Sequence, residues 1–292
     1  MITEEYKLRV IEAIQEDRLN YPSASKQAVA LGVSASQLSK LNSGKLDKIL
    51  SDAKWMSVGR RLDVTVGKQV KWAAAKTPTF EFIYDQLKSC KENSVSALLC
   101  DAADIGKTFT AKYFAREHKH TVCIDSSQVK SKQKFVRKIA REFGVINTGR
   151  YADVYADLVY YLQSVEKPLV IVDEAGDLDY PAFLELKALW NATEGNCGWY
   201  MMGADGLKAK IESNLDRRKV GYTEIFSRFG SSFQKVSPEG KESSEEFHKL
   251  QMALVAKVNL KEKELNLQGI YTKTGGSLRK LSNYAKHINK NG

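Results

Sequence analysis

The sequence predicts an α/β fold in which helices cover both faces of a parallel sheet, with an all-helical segment before it and a small helical segment after it. Across the middle of the chain, the short apolar runs SALLC, TVCID, PLVIVD and GWYMMG, and a weaker last run, SSFQKVS, alternate with helical patterns. This alternation is typical of a parallel sheet with helical crossovers. The N-terminal stretch places Tyr6, Val10 and Ile14 on one helical face. The polar C-terminal stretch contains a helix whose predicted N-cap is Ser277.

The composition indicates a folded, basic protein. Its 292 residues are 43% hydrophobic, which excludes a disordered chain. The formal net charge of +10 favours a polyanionic partner such as nucleic acid, the alternative being a solvated basic surface. The scattered cysteines predict reduced thiols rather than disulfides or a zinc site. Since there is neither a bilayer-length apolar run nor a signal-peptide core, we expect a cytoplasmic protein with no membrane partner.

A helix-turn-helix is predicted in the N-terminal segment, within SASKQAVALGVSASQLSKLNSG. Gly32 supplies the turn, and Ser34 is the expected N-cap of the second helix. The outward residues of that helix include Gln37 and Lys40, which suit a reader of the DNA major groove. A helical hairpin used for protein contacts is the alternative.

A basic bridge spans residues 44–78. Lys68 and Lys71 are among its basic residues, and Trp55 and Trp72 are interleaved with them. Basic residues beside aromatic ones can follow a nucleic-acid backbone. A linker that docks on its neighbour is the favoured interpretation.

A phosphate-binding loop follows the strand SALLC. The pattern G-x-x-x-x-G-K-[ST] is completed by Gly106, Lys107 and Thr108, whereas Asp101 replaces its first glycine. Because aspartate tolerates unusual backbone angles, we expect the loop to form despite Asp101 and Asp104. Its backbone N–H groups would wrap phosphates, Lys107 would reach the β- and γ-phosphates, and the Thr108 hydroxyl would bind Mg²⁺. The predicted nucleotide-contacting residues of the loop are Asp101, Ala102, Ala103, Asp104, Ile105, Gly106, Lys107, Thr108 and Phe109.

An acidic pair follows another apolar strand, in PLVIVDEAGDL. The strand delivers Asp173 and Glu174 to its carboxyl end, where ligands bind in such sheets. We expect Asp173 to hold Mg²⁺ through water and Glu174 to polarise the water that attacks the γ-phosphate. The two motifs together predict ATP and ADP as ligands, with Mg²⁺.

These motifs resemble those of the AAA+ ATPases. GWYMMGAD falls where that family has its sensor-1 strand, although Ala204 and Asp205 stand where a polar sensor is usual. GGSLRKL resembles the sensor-2 helix of the lid, which implies that Arg279 contacts the γ-phosphate in cis. The resemblance and the N-terminal motif give three expected domains, namely 1–60 with the helix-turn-helix and linker helix, 61–238 as the nucleotide-binding core, and 239–292 as the helical lid.

A trans-acting arginine is a further implication of the resemblance. IFSRFGSSF resembles the segment that carries the arginine finger, which makes Arg228 the candidate. Such an arginine stabilises transition-state charge in the site of a neighbouring subunit. Arg217 and Arg218 are the alternatives, and a plain surface arginine is a third interpretation.

The order of the segments, the size and the basic charge resemble AAA+ ATPases of the transposition-helper type. That resemblance implies ATP-dependent, sequence-tolerant binding of duplex DNA, self-assembly into a helical filament or ring, and delivery of target DNA to, or stimulation of, a DDE transposase. The alternatives are a replication initiator of the Orc or DnaA type and a nucleotide-binding transcriptional regulator. The implied DNA-facing residues, unless they form only a solvated helix face, are Lys130, Lys132, Lys134, Arg137 and Arg150.

Overall fold

The structure is a computed structural model that describes residues 2–66 and 72–288. Lys68 and Lys71 of the basic bridge lie outside the described residues. The strands of the described part are β1 (Ser96–Cys100), β2 (Thr121–Asp125), β3 (Leu169–Asp173) and β4 (Gly198–Gly203). Its α-helices are α1 (Glu4–Asp17), α2 (Ala24–Leu31), α3 (Ala35–Asn42), α4 (Asp52–Arg61), α5 (Pro78–Asn93), α6 (Lys107–Glu117), α7 (Lys132–Glu142), α8 (Tyr151–Ser164), α9 (Tyr180–Ala192), α10 (Asp205–Asp216), α11 (Tyr222–Arg228), α12 (Lys241–Asn259), α13 (Leu267–Thr274) and α14 (Leu278–Ile288).

The strands form a parallel sheet in the order β1-β4-β3-β2. Leu98 lies opposite Met201, and Asp125 opposite Asp173, so that the carboxyl ends of the strands share one edge. Every residue of β3 and β4 is buried, as expected for strands with helices on both sides. The prediction of an α/β parallel sheet is confirmed.

One predicted strand is reduced to a single bridge. The segment SSFQKVS pairs with β1 only at Leu99 and Gln234. There the Cys100 N–H donates to the Gln234 carbonyl, and the Gln234 N–H donates to the Leu98 carbonyl. Because the segment is polar and lies at the edge of the sheet, it has little apolar surface with which to extend the pairing.

Helices cover both faces of the sheet. On one face, α5 and α6 pack Ile83 and Phe114 against Tyr200 of β4. On the other face, α7, α8, α9 and α10 pack residues such as Phe135 and Phe183 against the opposite side of the same strands. These two cores fix the positions of the loops that leave the carboxyl edge.

The N-terminal helices form their own apolar core. Tyr6, Ile14, Leu38 and Trp55 are buried within it. Trp55 is 0% exposed, so it contributes to packing and offers no face to a nucleic-acid base. The interpretation of the bridge as a nucleic-acid track is therefore wrong at this residue.

The N-terminal helices dock on the nucleotide-binding core. At Gly144, which follows α7, an added Cβ would lie 2.2 Å from the Lys26 carbonyl oxygen of α2. The Lys26 ammonium lies 5.1 Å from the centroid of the Tyr161 ring on α8. Asp63 of the bridge accepts a 2.8 Å hydrogen bond from Arg116 of α6. This arrangement agrees with a docking linker.

The other end of the bridge packs on the lid. Trp72 and Ala75 belong to the apolar cluster of α12, α13 and α14. The Ala73 N–H donates to the Asn259 side chain at 2.8 Å. Trp72, Ala73 and Ala75 therefore contribute to packing of the lid, although they lie inside the range 61–238 predicted for the nucleotide-binding core.

The structure bears on two expectations drawn from composition. Cys90, Cys100, Cys123 and Cys197 are free thiols. Over residues 2–66 and 72–288, no helix combines the length and the apolar character that crossing a membrane requires.

Candidate functional site

The phosphate-binding loop lies between β1 and α6, at the carboxyl edge of the sheet. Gly106 has φ +104° and leads directly into α6, a backbone conformation that glycine adopts without strain. The Lys107 ammonium donates to the carbonyl oxygens of Asp101 and Ala102, at 2.7 and 2.6 Å. Burial lowers the pKa of Lys107, while the nearby carboxylates of Asp101 and Glu174 oppose that shift. The ammonium is thus placed inside the loop, where phosphates would lie.

Asp101, which replaces the first glycine of the loop, is fully buried at 0% exposure. Its φ is outside the left-handed region, so this position does not require glycine. Its carboxylate accepts hydrogen bonds from the N–H groups of Val236 and Ser237, at 2.6 and 2.9 Å, and from the Ser237 hydroxyl. The carboxylate therefore points away from the interior of the loop.

Asp104 connects the loop to the lid. Its φ of +61° lies in the left-handed region, which aspartate tolerates. One carboxylate oxygen lies 3.0 Å from the Arg279 guanidinium, and the other accepts a 3.1 Å hydrogen bond from Ser277. Arg279 therefore lies at the phosphate-binding loop, and its partner there is a loop carboxylate.

Thr108 and Asp173 meet at the base of the site. The Thr108 hydroxyl donates to the Asp173 carboxylate at 2.7 Å. Burial raises the pKa of Asp173, while the hydrogen bond from Thr108 opposes that shift. A hydroxyl and a carboxylate oxygen are ligands that Mg²⁺ prefers, with phosphates and water completing its shell. The described part of the chain holds no cluster of three or more His, Cys, Asp or Glu side chains that could bind a metal ion.

Glu174 follows β3 in an unusual backbone conformation. Its φ and ψ of 49° and 41° are left-handed, and strain of this kind occurs at functional sites. Its N–H donates to the Asp173 carboxylate at 2.9 Å, which fixes the turn. The Glu174 side chain is exposed at the carboxyl edge of the sheet.

The remaining loop residues differ in exposure. Ile105 is buried in the loop, whereas Phe109 is partly exposed and stacks on Tyr113 one turn along α6. Ala103 is exposed.

In the sensor-1 region, Asp205 is the first residue of α10. Its negative charge opposes the lowering of the Lys107 pKa by burial.

A comparison with known proteins agrees with this geometry. Residues 90–211 match the AAA domain. The parallel sheet and the loop define the class of the protein, an α/β protein with a P-loop fold, and the match to the AAA domain implies nucleotide binding and ATPase-type hydrolysis. Over 213 residues the chain is 24% identical to the Mu-like prophage FluMu DNA transposition protein B of Haemophilus influenzae, covering 72% of this chain and 70% of that protein. Both findings support the resemblance to AAA+ ATPases of the transposition-helper type, at a distant level.

Arg228 is not part of the site within its own chain. It ends α11 and lies over the Trp190 ring, with its guanidinium carbon 5.1 Å from the ring centroid. Trp190 donates a hydrogen bond to Ser96, at the amino end of β1. The phosphate-binding loop follows the other end of that strand, so Arg228 faces away from its own nucleotide site.

The candidate DNA-facing lysines of α7 and the loop before it have acidic neighbours. Lys130 lies 3.5 Å from Asp177, and Lys132 lies 3.0 Å from Glu185. Lys134 is exposed. The Lys130–Asp177 pair is exposed and contributes about 0–1 kcal/mol, so it does not prevent Lys130 from turning to a phosphate. The Glu185 carboxylate is only 12% exposed, so its pair holds Lys132 more firmly.

Two other candidates for DNA contact have structural roles. Arg137 donates to the carbonyl oxygens of Asn147 and Gly149, at 2.7 and 2.9 Å, and so holds the loop before α8. Gln37 completes a capping box with Ser34 and also donates to the Ile49 carbonyl. The amide of Gln37 is therefore engaged in capping α3 and in holding the Ile49 carbonyl, and a DNA contact would require it to leave these partners.

The other candidates for DNA contact, Lys40 and Arg150, are exposed.

The sequence reasoning missed Ser237, whose contact with Asp101 joins residues more than a hundred positions apart in the chain. No local pattern marks such a contact. The one available signal was the aspartate at a glycine position, since a buried carboxylate needs donors from elsewhere.

Proposed function

We propose that this protein is an ATP-dependent, sequence-tolerant DNA-binding ATPase that delivers target DNA to a DDE transposase or stimulates that transposase. The observation that carries the proposal is the set of Lys107, Thr108, Asp173 and Glu174 at one sheet edge, in a chain similar to a DNA transposition protein B. The basic charge of +10 supports a polyanionic partner.

The nucleotide chemistry is assigned to residues of this edge. Lys107 turns from the loop carbonyls to the β- and γ-phosphates and neutralises their charge. Glu174 accepts a proton from the attacking water and orients it in line with the γ-phosphate. Thr108 and Asp173 would hold Mg²⁺, which when bound supplies further neutralisation of phosphate charge.

The DNA contacts are assigned to Lys130, Lys132 and Lys134, with Arg150 from the following loop. Lysine–phosphate contacts release counterions and carry no sequence information, which accounts for sequence tolerance. In an assembly along the duplex the same weak contacts recur in every subunit and add together. The N-terminal helices, with the exposed Lys40, would add a second contact or dock a partner.

Replacing Lys130, Lys132 and Lys134 together by alanine is expected to weaken ATP-dependent duplex binding about equally on unrelated sequences. The slope of log K against log salt should become less steep by roughly 2.7, about 0.9 for each lost lysine–phosphate contact. Fluorescence anisotropy across a salt series, with two unrelated duplexes and with ATP present or absent, measures both effects.

The matched control replaces three exposed lysines near α3, namely Lys40, Lys45 and Lys48. This variant loses the same charge, so any general electrostatic effect is common to both. We expect it to weaken binding less than the first variant. Should it abolish binding while the first variant keeps full affinity, the N-terminal helices are the main DNA reader, and a transcriptional regulator becomes the better assignment.

We assign Arg228 as an arginine finger that acts in the nucleotide site of a neighbouring subunit. Hydrolysis then depends on self-assembly. The position of Arg228 away from its own phosphate-binding loop supports this role. Hydrolysis per subunit should then rise with protein concentration and with added duplex. Arg228→Ala should lose hydrolysis, by about 10³-fold or more, while it retains ATP binding.

Phosphate release measured over a dilution series, with calorimetry of ATP binding alongside, tests the finger. Arg217→Ala and Arg218→Ala serve as matched comparisons, since both residues are nearby arginines. A rate per subunit that stays constant over the whole series contradicts an intersubunit site. Loss of hydrolysis in one of the comparison variants instead of Arg228→Ala moves the finger to that residue.

A further inference from the structure

The carboxylate of Asp101 is bound to the segment that leads into the lid. It accepts from the N–H groups of Val236 and Ser237 and from the Ser237 hydroxyl. It also accepts a 2.7 Å hydrogen bond from the N–H of Ala102. Ser237 is itself buried, at 8% exposure. A buried carboxylate is stable only when donors surround it, and here most of those donors come from this one distant segment.

The bound segment is the last part of the chain that the nucleotide-binding core holds before the lid begins. Gln234 is paired with β1 through two backbone hydrogen bonds. Val236 and Ser237 are then held by Asp101, and α12 of the lid starts at Lys241 after Gly240. The Asp101 carboxylate thus extends the contact of this segment with β1 into the phosphate-binding loop.

The main chain of the same residue holds the catalytic lysine. The Asp101 carbonyl oxygen accepts from the Lys107 ammonium at 2.7 Å. The carboxylate and the main-chain carbonyl of Asp101 therefore connect the start of the lid with the Lys107 ammonium, the group that would contact phosphates. At the far side of the loop, Asp104 lies 3.0 Å from Arg279 of the lid. If the segment at Ser237 were loosened, Asp104 would still hold the lid to the loop through Arg279 and Ser277, but the second connection, on the Lys107 side of the loop, would be lost.

We propose that Asp101 is a positioning residue that fixes the start of the lid against the phosphate-binding loop, so that the consensus glycine at this position would impair hydrolysis. The inference rests on the proposed ATPase function. The Asp101 carboxylate points away from the interior of the loop, so the residue acts through the segment 236–237 and through Lys107. Since its backbone is outside the left-handed region, glycine would offer the loop no relief of strain.

The test compares wild type with Asp101→Gly. We expect Asp101→Gly to bind ADP within about threefold of wild type, because the Lys107 ammonium and the backbone N–H groups of the loop remain. Its kcat should fall about 10- to 100-fold, with KM for ATP little changed, because misplacement of a positioning contact acts on the transition state. Hydrogen exchange should accelerate at the amides of Val236 and Ser237.

Two further variants separate positioning from charge and from folding. Asp104→Gly also removes one loop carboxylate but leaves the Asp101 contacts intact, so the amides of Val236 and Ser237 should keep their protection. Asp101→Asn retains one acceptor oxygen and should keep more of kcat than Asp101→Gly. Circular dichroism of each variant reports whether it folds. If Asp101→Gly does not fold, Ser237→Ala takes its place, with a smaller fall in kcat expected.

Three outcomes overturn the inference. In the first, Asp101→Gly keeps the wild-type kcat although the amides of Val236 and Ser237 lose protection, so the contact serves stability alone. In the second, ADP binding and kcat are lost together, so Asp101 forms the loop itself. In the third, Ser237→Ala keeps the wild-type kcat when it is the variant tested. Failure of the proposed function is distinct from these, because it would appear in wild type as absence of nucleotide binding, and the inference would fall with it.

Discussion

Lys107→Ala is expected to abolish nucleotide binding. Lys107 is the buried ammonium of the loop, held at Asp101 and Ala102, and its loss would leave phosphate charge without its partner. Truncating one member of such a pair weakens binding by roughly 2–5 kcal/mol, or about 30- to 5000-fold in Kd. Calorimetric titration with ATP and with ADP, in the presence of Mg²⁺, measures the effect.

Lys112→Ala is the matched control for this experiment. Lys112 lies on the same helix and is exposed, so the variant makes the same change in charge without touching the loop carbonyls. It should bind ATP and ADP as wild type does. Retention of wild-type affinity by Lys107→Ala would show that the loop does not bind phosphates, and wild type that binds no ATP would contradict the nucleotide site altogether.

Glu174→Gln is expected to bind ATP and to hydrolyse it about 10²- to 10⁴-fold more slowly, the usual contribution of a general base. The amide keeps the size of the side chain but cannot accept the proton of the attacking water. The backbone turn, fixed by the N–H of residue 174 on the Asp173 carboxylate, should persist in the variant. Steady-state phosphate release with saturating ATP gives kcat, and calorimetry gives the affinity.

Glu194→Gln controls for the loss of one negative charge. Glu194 is exposed and precedes β4, at the amino end of the sheet, away from the carboxyl edge. We expect its kcat to equal that of wild type. A Glu174→Gln variant whose kcat stays within about twofold of wild type would exclude Glu174 as the base and would direct the search to neighbours such as Asp125, which lies opposite Asp173 in the sheet.

The features predictable from the sequence are those with local causes. The apolar run LVIVD identifies β3, and the acidic pair at its end falls at the carboxyl edge because parallel strands share that edge. Gly106 and Lys107 identify the start of α6 in the same way. Ser34 as an N-cap needs only its own helix. Each of these follows from a few neighbouring residues.

The features that the sequence did not predict depend on contacts between distant segments. Trp55 looks like a surface aromatic among basic residues, yet the N-terminal core buries it. Lys132 has an acidic partner, Glu185, on another helix. The apolar content of SSFQKVS was too low to decide between a strand and a single bridge, since the outcome depends on what covers that edge. Periodicity and local motifs carry no information on such pairings.

If Arg279 contacts a γ-phosphate, Asp104 competes with that phosphate for the arginine, because the two side chains form an ion pair in the structure. The Arg279 side chain is 79% exposed, and an ion pair so close to solvent is worth at most about 1 kcal/mol. If Arg279 engages the γ-phosphate, a triphosphate must displace Asp104, which lowers its apparent affinity by no more than about fivefold. A diphosphate has no group to offer in exchange and leaves the pair intact. Arg279 would then pair with the γ-phosphate when a triphosphate is bound and with Asp104 when a diphosphate is bound.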